Sequence, residues 1–537
     1  MARGSAGYVV TLTTARGHTL TLTGSVADQS FDLSGHSALS GNETVVTGLT
    51  AYARHEHLRR RSRSVENRES HDRAATQHSK IATRVADHVE ELGDRTREGW
   101  CSSCFRLSEH RKVDDRTLVP PVFLCGLCGG PTTPCFAPRC PHMANRRTGT
   151  ARLPRYCAEH RHDIPAFDKL ASRLTDLEEL PDWLAFERRN LAAATKVTAA
   201  AGVAAVVLAP AALLAAPAIG GALGGSMLGG SLSGAAATSH GLAMLGGGAL
   251  GSGPLAFGML GGTVVVTAAG AALGGSLGAA ATSAYVRDDS SFKIVKLRDG
   301  DGPAVLLASG FLTEKDDGWG SWRRIIDDRY LHAPVYRVFW GSKELGDVWA
   351  LLGSTGSKAA IARATAQAAM RGSRKAAAKV PWLMAPFLAH DLAANPWMVA
   401  KNRAEMTGAA LADILARTDQ APYVLVGHSL GARVMATAAA AMSTMPGTAR
   451  LESVHLLGAA IAAESDHRAL GESVTGIVWN YFSSRDKVLA AAYRAAQLRQ
   501  QAAGSVGLRT KQPRIKNVDL SRQVTGHSDY FEKAALR

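Results

Sequence analysis

Between Lys196 and Arg287 the chain carries no charged residue at all, only small and apolar ones dominated by alanine and glycine, with His240 the lone histidine. About 20 apolar residues suffice for a helix to cross a bilayer, so this run is long enough to do so more than once. Spans are expected at about 197–220 and 255–286. Small residues at four-residue spacing, as in GGALGG and GAALGGSLGAA, would let such helices pair closely. Lys196 and Arg287 at the two ends suit an even number of crossings with both flanks on the cytosolic side. The rival reading is a soluble Gly/Ala linker of low complexity. Either way the run at 196–287 divides a chain of 537 residues, which is too long for one core.

What precedes the run is basic and modular. Lys plus Arg number 61 against 46 Asp plus Glu, an excess of 15 that favours an anionic partner, either anionic lipid or nucleic acid. Residues 1–53 alternate threonine and valine around glycine turns, which predicts a β-rich segment. Residues 54–95, opening with HLRRRSRS, predict a basic helix stopped near Gly93, and 166–195 predict a linker helix broken at Pro181. The N-terminus has no basic start followed by an apolar core, so no conventional secretory signal is expected.

All seven cysteines fall within 96–165. Cys101-x-x-Cys104 and Cys125-x-x-Cys128 have the spacing of zinc knuckles, and Cys135, Cys140 and Cys157-x-x-His160 offer a second set of four. Eight ligands in four pairs can hold two zinc ions either sequentially or interleaved, and the spacing does not choose. His142 and His162 are spare candidates. The expected zinc is structural, because four protein ligands leave no open position for water.

After Arg287 the text becomes that of a globular α/β domain over 288–537. Apolar runs such as AVLLASGF, PVYRVFWGS, YVLVGHS, SVHLLGAA and GIVWNYFSS alternate with helical segments, the pattern of a mostly parallel sheet flanked by helices. A helical insertion at 344–417 is a candidate lid. In YVLVGHSLGAR a strand runs into Gly427-x-Ser429-x-Gly431, the tight strand-to-helix turn that exposes a nucleophilic serine. Gly274, Ser276 and Gly278 fit the same expression but have no β-branched strand before them.

A serine nucleophile needs a base, and the base an orienting carboxylate, in the chain order serine, acid, histidine. Asp486 follows the strand text GIVWNYF, and His527 lies in a glycine-containing loop after the last candidate strand near 515–518. Asp466 and Asp529 compete as acids; His455 and His467 suit less well as bases. The oxyanion hole would be the N–H of Leu430 with that of Phe311 or Leu312, Gly310 permitting the turn.

The tracts SGFLTE with a following WGSW, NPWMVAKNRAEMTGAALADIL, GHSLGAR, HLLGAA, NYFSSRDKVL and the terminal GHSDY, in that order, resemble the α/β-hydrolase family of the eukaryotic transmembrane and coiled-coil domain type, a lipase-like class filed as a domain of unknown function. The similarity runs from about Leu191 to the C-terminus. It implies an α/β-hydrolase fold preceded by a membrane segment, with Ser429, Asp486 and His527 at the triad positions. The expectation is thus a membrane-associated serine esterase acting on a lipid or other ester, with the zinc module and hydrolase domain cytosolic. The alternative is a membrane-permeabilising protein on a degenerate hydrolase scaffold.

Overall fold

The computed structural model describes residues 7–25, 30–62, 65–114, 121–146, 155–161, 163–185, 275–289, 291–310, 318–341, 396–420, 422–443, 450–489 and 501–537. They form two compact units, the first from Met1–Ala171 and Leu184–Gly261, the second from Ser172–Trp183 and Gly262–Arg537.

The first unit opens with an antiparallel meander of β1 (Gly7–Thr13), β2 (Thr19–Ser25) and β3 (Ser30–Gly35), as the threonine and valine alternation predicts. Leu12 pairs with Leu20, and both point into a core completed by two helices. Those helices, Glu43–Arg61 and Val65–Glu90, correct the single basic helix expected over 54–95. The first starts eleven residues early because Asn42 caps it, its side chain accepting from Val45 N–H. Val45, Leu49 and Ala53 then form an inward stripe against Ile81, Ala82, Val85 and Ala86. Gly93 does not stop a helix: it lies inside β4 (Leu92–Trp100). Strands β4, β5 (Leu107–Val113), β6 (Phe123–Cys125), β7 (Pro131–Pro134) and β8 (Met143–Asn145) make an antiparallel sheet that carries the cysteines.

The second unit is built on β9 (Lys293–Arg298), β10 (Ala304–Ala308), β11 (Val335–Phe339), β12 (Tyr423–His428), β13 (Leu451–Leu457), β14 (Val478–Phe482) and β15 (Ile515–Asp519). Their order is β15-β14-β13-β12-β10-β11-β9, all parallel except β9, which runs antiparallel to β11. Strands β10 and β12 are buried throughout because both sheet faces are covered. Val305, Leu307, Val424 and Val426 meet Trp322, Ile325, Ile326 and Phe531 on one face. Helix Leu430–Met442 is almost wholly buried and packs with helix Pro396–Arg417. This is an α/β-hydrolase-like sheet, as the apolar runs predict.

Two boundaries move. Residues 275–289 belong to the second unit: Ser276–Asp288 is a 13-residue helix whose Thr282 donates to Asp413 (3.0 Å) and whose Tyr285 hydroxyl donates to Asp289 (2.7 Å). Arg417 reaches the carbonyl of Gly275 at 3.2 Å. A helix tied to a globular core by buried polar bonds does not face lipid, so the expected span at 255–286 loses its last third, and Ser276 lies in that helix and not on a strand-to-helix elbow. Likewise the end of the insertion at 344–417 is helix Pro396–Arg417, whose Trp397, Ala400, Leu411, Ile414 and Leu415 are core residues and not part of a lid. In the linker expected at 166–195, Pro181 lies in the first turn of the short helix Leu180–Leu184, where a missing N–H costs nothing. The span at 197–220 and most of the insertion lie outside the described residues. Among the described residues no helix is long and apolar enough to cross a membrane.

His455 on β13 is buried between Tyr330 (2.8 Å to the hydroxyl) and Tyr481 (3.1 Å). Burial, with Arg329 adding to it, pushes its pKa down to about 3. The unfolded chain would protonate this ring near pH 6.5 while the folded chain would not, so the contribution is complete above that pH and is lost as pH falls toward 3. At pH 4 the loss is roughly 3 kcal/mol. Denaturant unfolding at pH 7 and pH 4 is expected to show a smaller acid loss for His455→Gln than for the wild type; equal losses would place the titration elsewhere.

Candidate active site

Parallel strands deliver their following loops to one edge of the sheet, and three of these loops carry Ser429, Asp486 and His527. Ser429 follows β12 directly and has φ 60° and ψ −122°, a conformation that costs a non-glycine residue energy. Its neighbours explain how the strain is held. A Cβ on Gly427 would lie 2.5 Å from Ala432 Cα, and one on Gly431 would overlap the carbonyl of Ala308. Ser429 N–H donates to Leu457 O (3.0 Å), and Ser429 O accepts from Ala460 N–H (3.1 Å). The hydroxyl is buried and makes no hydrogen bond among the described residues.

Asp486 lies four residues beyond β14. Its Oδ2 is 2.7 Å from His527 Nδ1, with both side chains buried, and its Oδ1 accepts from Leu489 N–H at 3.2 Å. Ser483 braces the acid loop against the histidine loop, donating to Val524 O at 2.7 Å. The rival acids are committed elsewhere. Asp529 accepts from Thr525 N–H (2.9 Å), Gly526 N–H (3.0 Å) and Lys533 Nζ (3.0 Å), and these hydrogen bonds, Thr525 N–H first, hold its carboxyl well below the usual range; it builds the turn that carries His527. Asp466 is exposed and pairs with Arg468 at 3.1 Å. His455 is engaged by tyrosines, and His467 Nε2 bonds to Ala462 O at 3.0 Å.

Of the oxyanion candidates, Leu430 heads helix Leu430–Met442, where N–H groups have no intrahelical partner. Gly310 presses on it: a Cβ there would lie 2.6 Å from Ser429 Cβ and 2.9 Å from Leu430 N. Phe311 and Leu312 lie outside the described residues. Ser309, just before this contact, receives two indole donors, Trp322 Nε1 on its hydroxyl (2.9 Å) and Trp340 Nε1 on its carbonyl (3.1 Å). Sequence reasoning did not find those donors, nor the contact between His428 and His527 O at 2.8 Å. Trp322 and Trp340 stand in the WGSW and FWGS tracts, which was their sole visible signal.

The first unit gathers the cysteines into two sets, each with its ligand atoms within 4.8 Å of one another: Cys101, Cys104, Cys125 and Cys128; and Cys135, Cys140, Cys157 and His160. The arrangement is sequential and not interleaved. Cys101 and Cys128 Sγ are 4.0 Å apart, Cys104 and Cys125 3.9 Å, Cys140 and Cys157 3.8 Å. Thiolates on one tetrahedral zinc stand about 3.8 Å apart, so the donors fit such an ion. Both knuckles repeat one geometry: Phe105 N–H bonds to Cys101 O (2.8 Å) with φ 55°, and Gly129 N–H to Cys125 O (2.9 Å) with φ 67°. Further donors, Ser103 N–H on Cys101 Sγ (3.3 Å) and Cys157 N–H on Cys135 Sγ (3.2 Å), suit thiolate charge. His160 would ligate through Nδ1, which lies 3.1 Å from Cys157 Sγ. His142 Nε2 instead faces Glu159 at 3.4 Å, and His162 lies outside the described residues.

Most of the second unit lies in the part of the chain that is similar to known proteins. The chain is 28% identical over 291 residues to "Transmembrane and coiled-coil domain-containing protein STS1" of Oryza sativa subsp. japonica, covering 52% of this chain and 43% of that one. It is 27% identical over 281 residues to "Probable lipase MIL1" of Saccharomyces cerevisiae, covering 50% and 25%. The chain thus spans less than half the length of either relative. A solved hydrolase of Oleispira antarctica overlays 47% of this chain and 92% of its own at 10% identity and a TM-score of 0.24, too loose to add to the strand order. The family model described as "Protein of unknown function (DUF726)" matches residues 189–536, nearly two thirds of the sequence, and the chain belongs to that family.

Proposed function

We propose that the second unit is a serine hydrolase of carboxylic esters, with Ser429 as nucleophile, His527 as base and Asp486 as orienting acid. The observation that carries this reading is the buried 2.7 Å pair of Asp486 and His527 at the same sheet edge as a serine held at φ 60°. His527 Nε2 takes the hydroxyl proton as Ser429 Oγ attacks the ester carbonyl, and Asp486 steadies the resulting imidazolium through Nδ1–H. The tetrahedral oxyanion is met by Leu430 N–H together with Phe311 or Leu312. Collapse releases the alcohol with the proton from His527, leaving an acyl-enzyme that water, activated by the same ring, hydrolyses.

The substrate class we propose is an acyl lipid, acted on beside a membrane. Support comes from the charge-free run at 197–286 and from relatives whose names speak of a lipase and of membrane proteins. Full-length protein is expected to hydrolyse acylglycerols or phospholipids in vesicles faster than p-nitrophenyl butyrate at equal ester concentration. Turnover of the soluble ester with none of either lipid would remove the lipid part and leave the serine hydrolase. For the first unit we propose two structural zinc ions, one per ligand set.

A further inference from the structure

The residue before the nucleophile is also a histidine, and the proposed reaction does not use it. His428 closes β12, is fully buried, and places Nε2 at 2.8 Å from the main-chain oxygen of His527, 99 positions away. A carbonyl only accepts, so Nε2 carries the proton. Burial first, and His527 beside it, hold the His428 pKa well below the ordinary value, so the ring is neutral. Its Nδ1 makes no hydrogen bond among the described residues, as suits the unprotonated nitrogen of that tautomer. The two imidazoles are 4.6 Å apart, and Phe531 (4.7 Å) and Tyr530 (5.8 Å) enclose His428.

Resting on the triad reading, we propose that His428 is a positioning residue for His527. The Asp486 bond fixes one nitrogen of that ring, but an imidazole can still pivot about a single hydrogen bond if its backbone drifts. The bond from His428 ties the His527 main chain to the strand that ends in Ser429, so base and nucleophile share one rigid frame. The neutrality of His428 belongs to the same role. A second cation 4.6 Å away would oppose the imidazolium that forms on His527 during the reaction.

The test uses full-length protein, p-nitrophenyl butyrate and a fluorophosphonate probe. His428→Gln puts an amide N–H where Nε2 stood, whereas His428→Asn puts one where Nδ1 stood, too short to reach the carbonyl. Misplacement of a base is worth up to about a hundredfold, so the Asn variant is expected to lose about ten- to a hundredfold in kcat and in labelling rate with KM unchanged, and to melt a few degrees lower because a buried hydrogen bond is lost. The Gln variant should recover to within about threefold of wild type, since a hydrogen bond of the same kind is restored. Should the Asn variant not melt cooperatively, His428→Phe, which keeps the ring contacts and removes the donor, takes its place under the same expectation. Asn and Gln variants that both match wild type, or that fall equally, overturn the proposal. A wild type that does not label overturns the triad reading and this proposal with it; labelling lost in Ser429→Ala but unaffected by His428→Asn overturns this proposal alone.

Discussion

Ser429→Ala is expected to abolish ester turnover and fluorophosphonate labelling while leaving the melting temperature unchanged or slightly raised. Removing a triad serine lowers kcat by about a millionfold where the hydroxyl is the nucleophile, with a residue over water due to the oxyanion hole and binding. The loss should appear in kcat and not in KM, because the hydroxyl acts on the reacting carbon. Folding should not suffer. The hydroxyl makes no hydrogen bond among the described residues, so its deletion leaves no stranded partner and removes a buried polar group. Alanine at φ 60° carries the same Cβ strain as serine, and the flanking Gly427 and Gly431 still accommodate the turn. Labelling of the wild type and not of the variant, at equal melting temperature, supports Ser429 as nucleophile. Turnover that survives the substitution removes the catalytic reading altogether.

What the sequence made legible here was local or ordered along the chain. The elbow at Ser429 is a strand, a turn and a helix within twenty residues, and its glycines are needed for a steric reason that spacing alone encodes. That Asp486 and His527 meet was expected from chain order after apolar runs, because parallel strands present their following loops at one edge. The candidate metal ligands were legible as pairs, but which pairs gather into one set was not. That is decided by register: β5 lies between β4 and β6, and His110 opposite Cys125 brings the Cys125 knuckle beside the Cys101 knuckle. Contacts at long separation were invisible for the same reason, including Trp322 and Trp340 on Ser309 and His428 on His527. The stop of the charge-free run at Arg287 misled, because absence of charge does not separate a lipid-facing helix from one buried in protein. Thr282 and Tyr285, three residues apart on one helical face, were the polar signal that 276–288 packs on a globular neighbour.

Removing the metal is expected to unfold the cysteine-bearing part of the first unit while leaving ester turnover intact. Its apolar core is divided into small groups: the four thiols of Cys101, Cys104, Cys125 and Cys128, then Val113, Val122 and Leu124 with two partly buried neighbours, and Phe105 and Phe167 with Trp100 stacked on the latter. A core divided in this way gives five short strands little stability of their own, and a structural zinc supplies about 10–16 kcal/mol in modules of this kind. Four bare thiols at this distance also frustrate one another. Buried and this close, the four sulfurs cannot all ionise without a cation among them, and one cation shared by four thiolates removes that cost. Purified protein is therefore expected to carry two zinc equivalents, whose removal by a strong chelator lets the freed thiolates take up protons, with hydrogen exchange rising across 97–160. Turnover should persist, since all eight ligands lie in the first unit and the proposed triad in the second. Because the sets are separate, Cys125→Ser and Cys157→Ser should each lower the zinc content to about one equivalent, and the double variant to none. A double variant that still holds about one equivalent would mean interleaved ligation, in which Cys125 and Cys157 share an ion, against the sulfur pairing at 3.8–4.0 Å within each set. A wild type free of zinc, yet with the same slow exchange, would show that the thiols pack as a core in their own right.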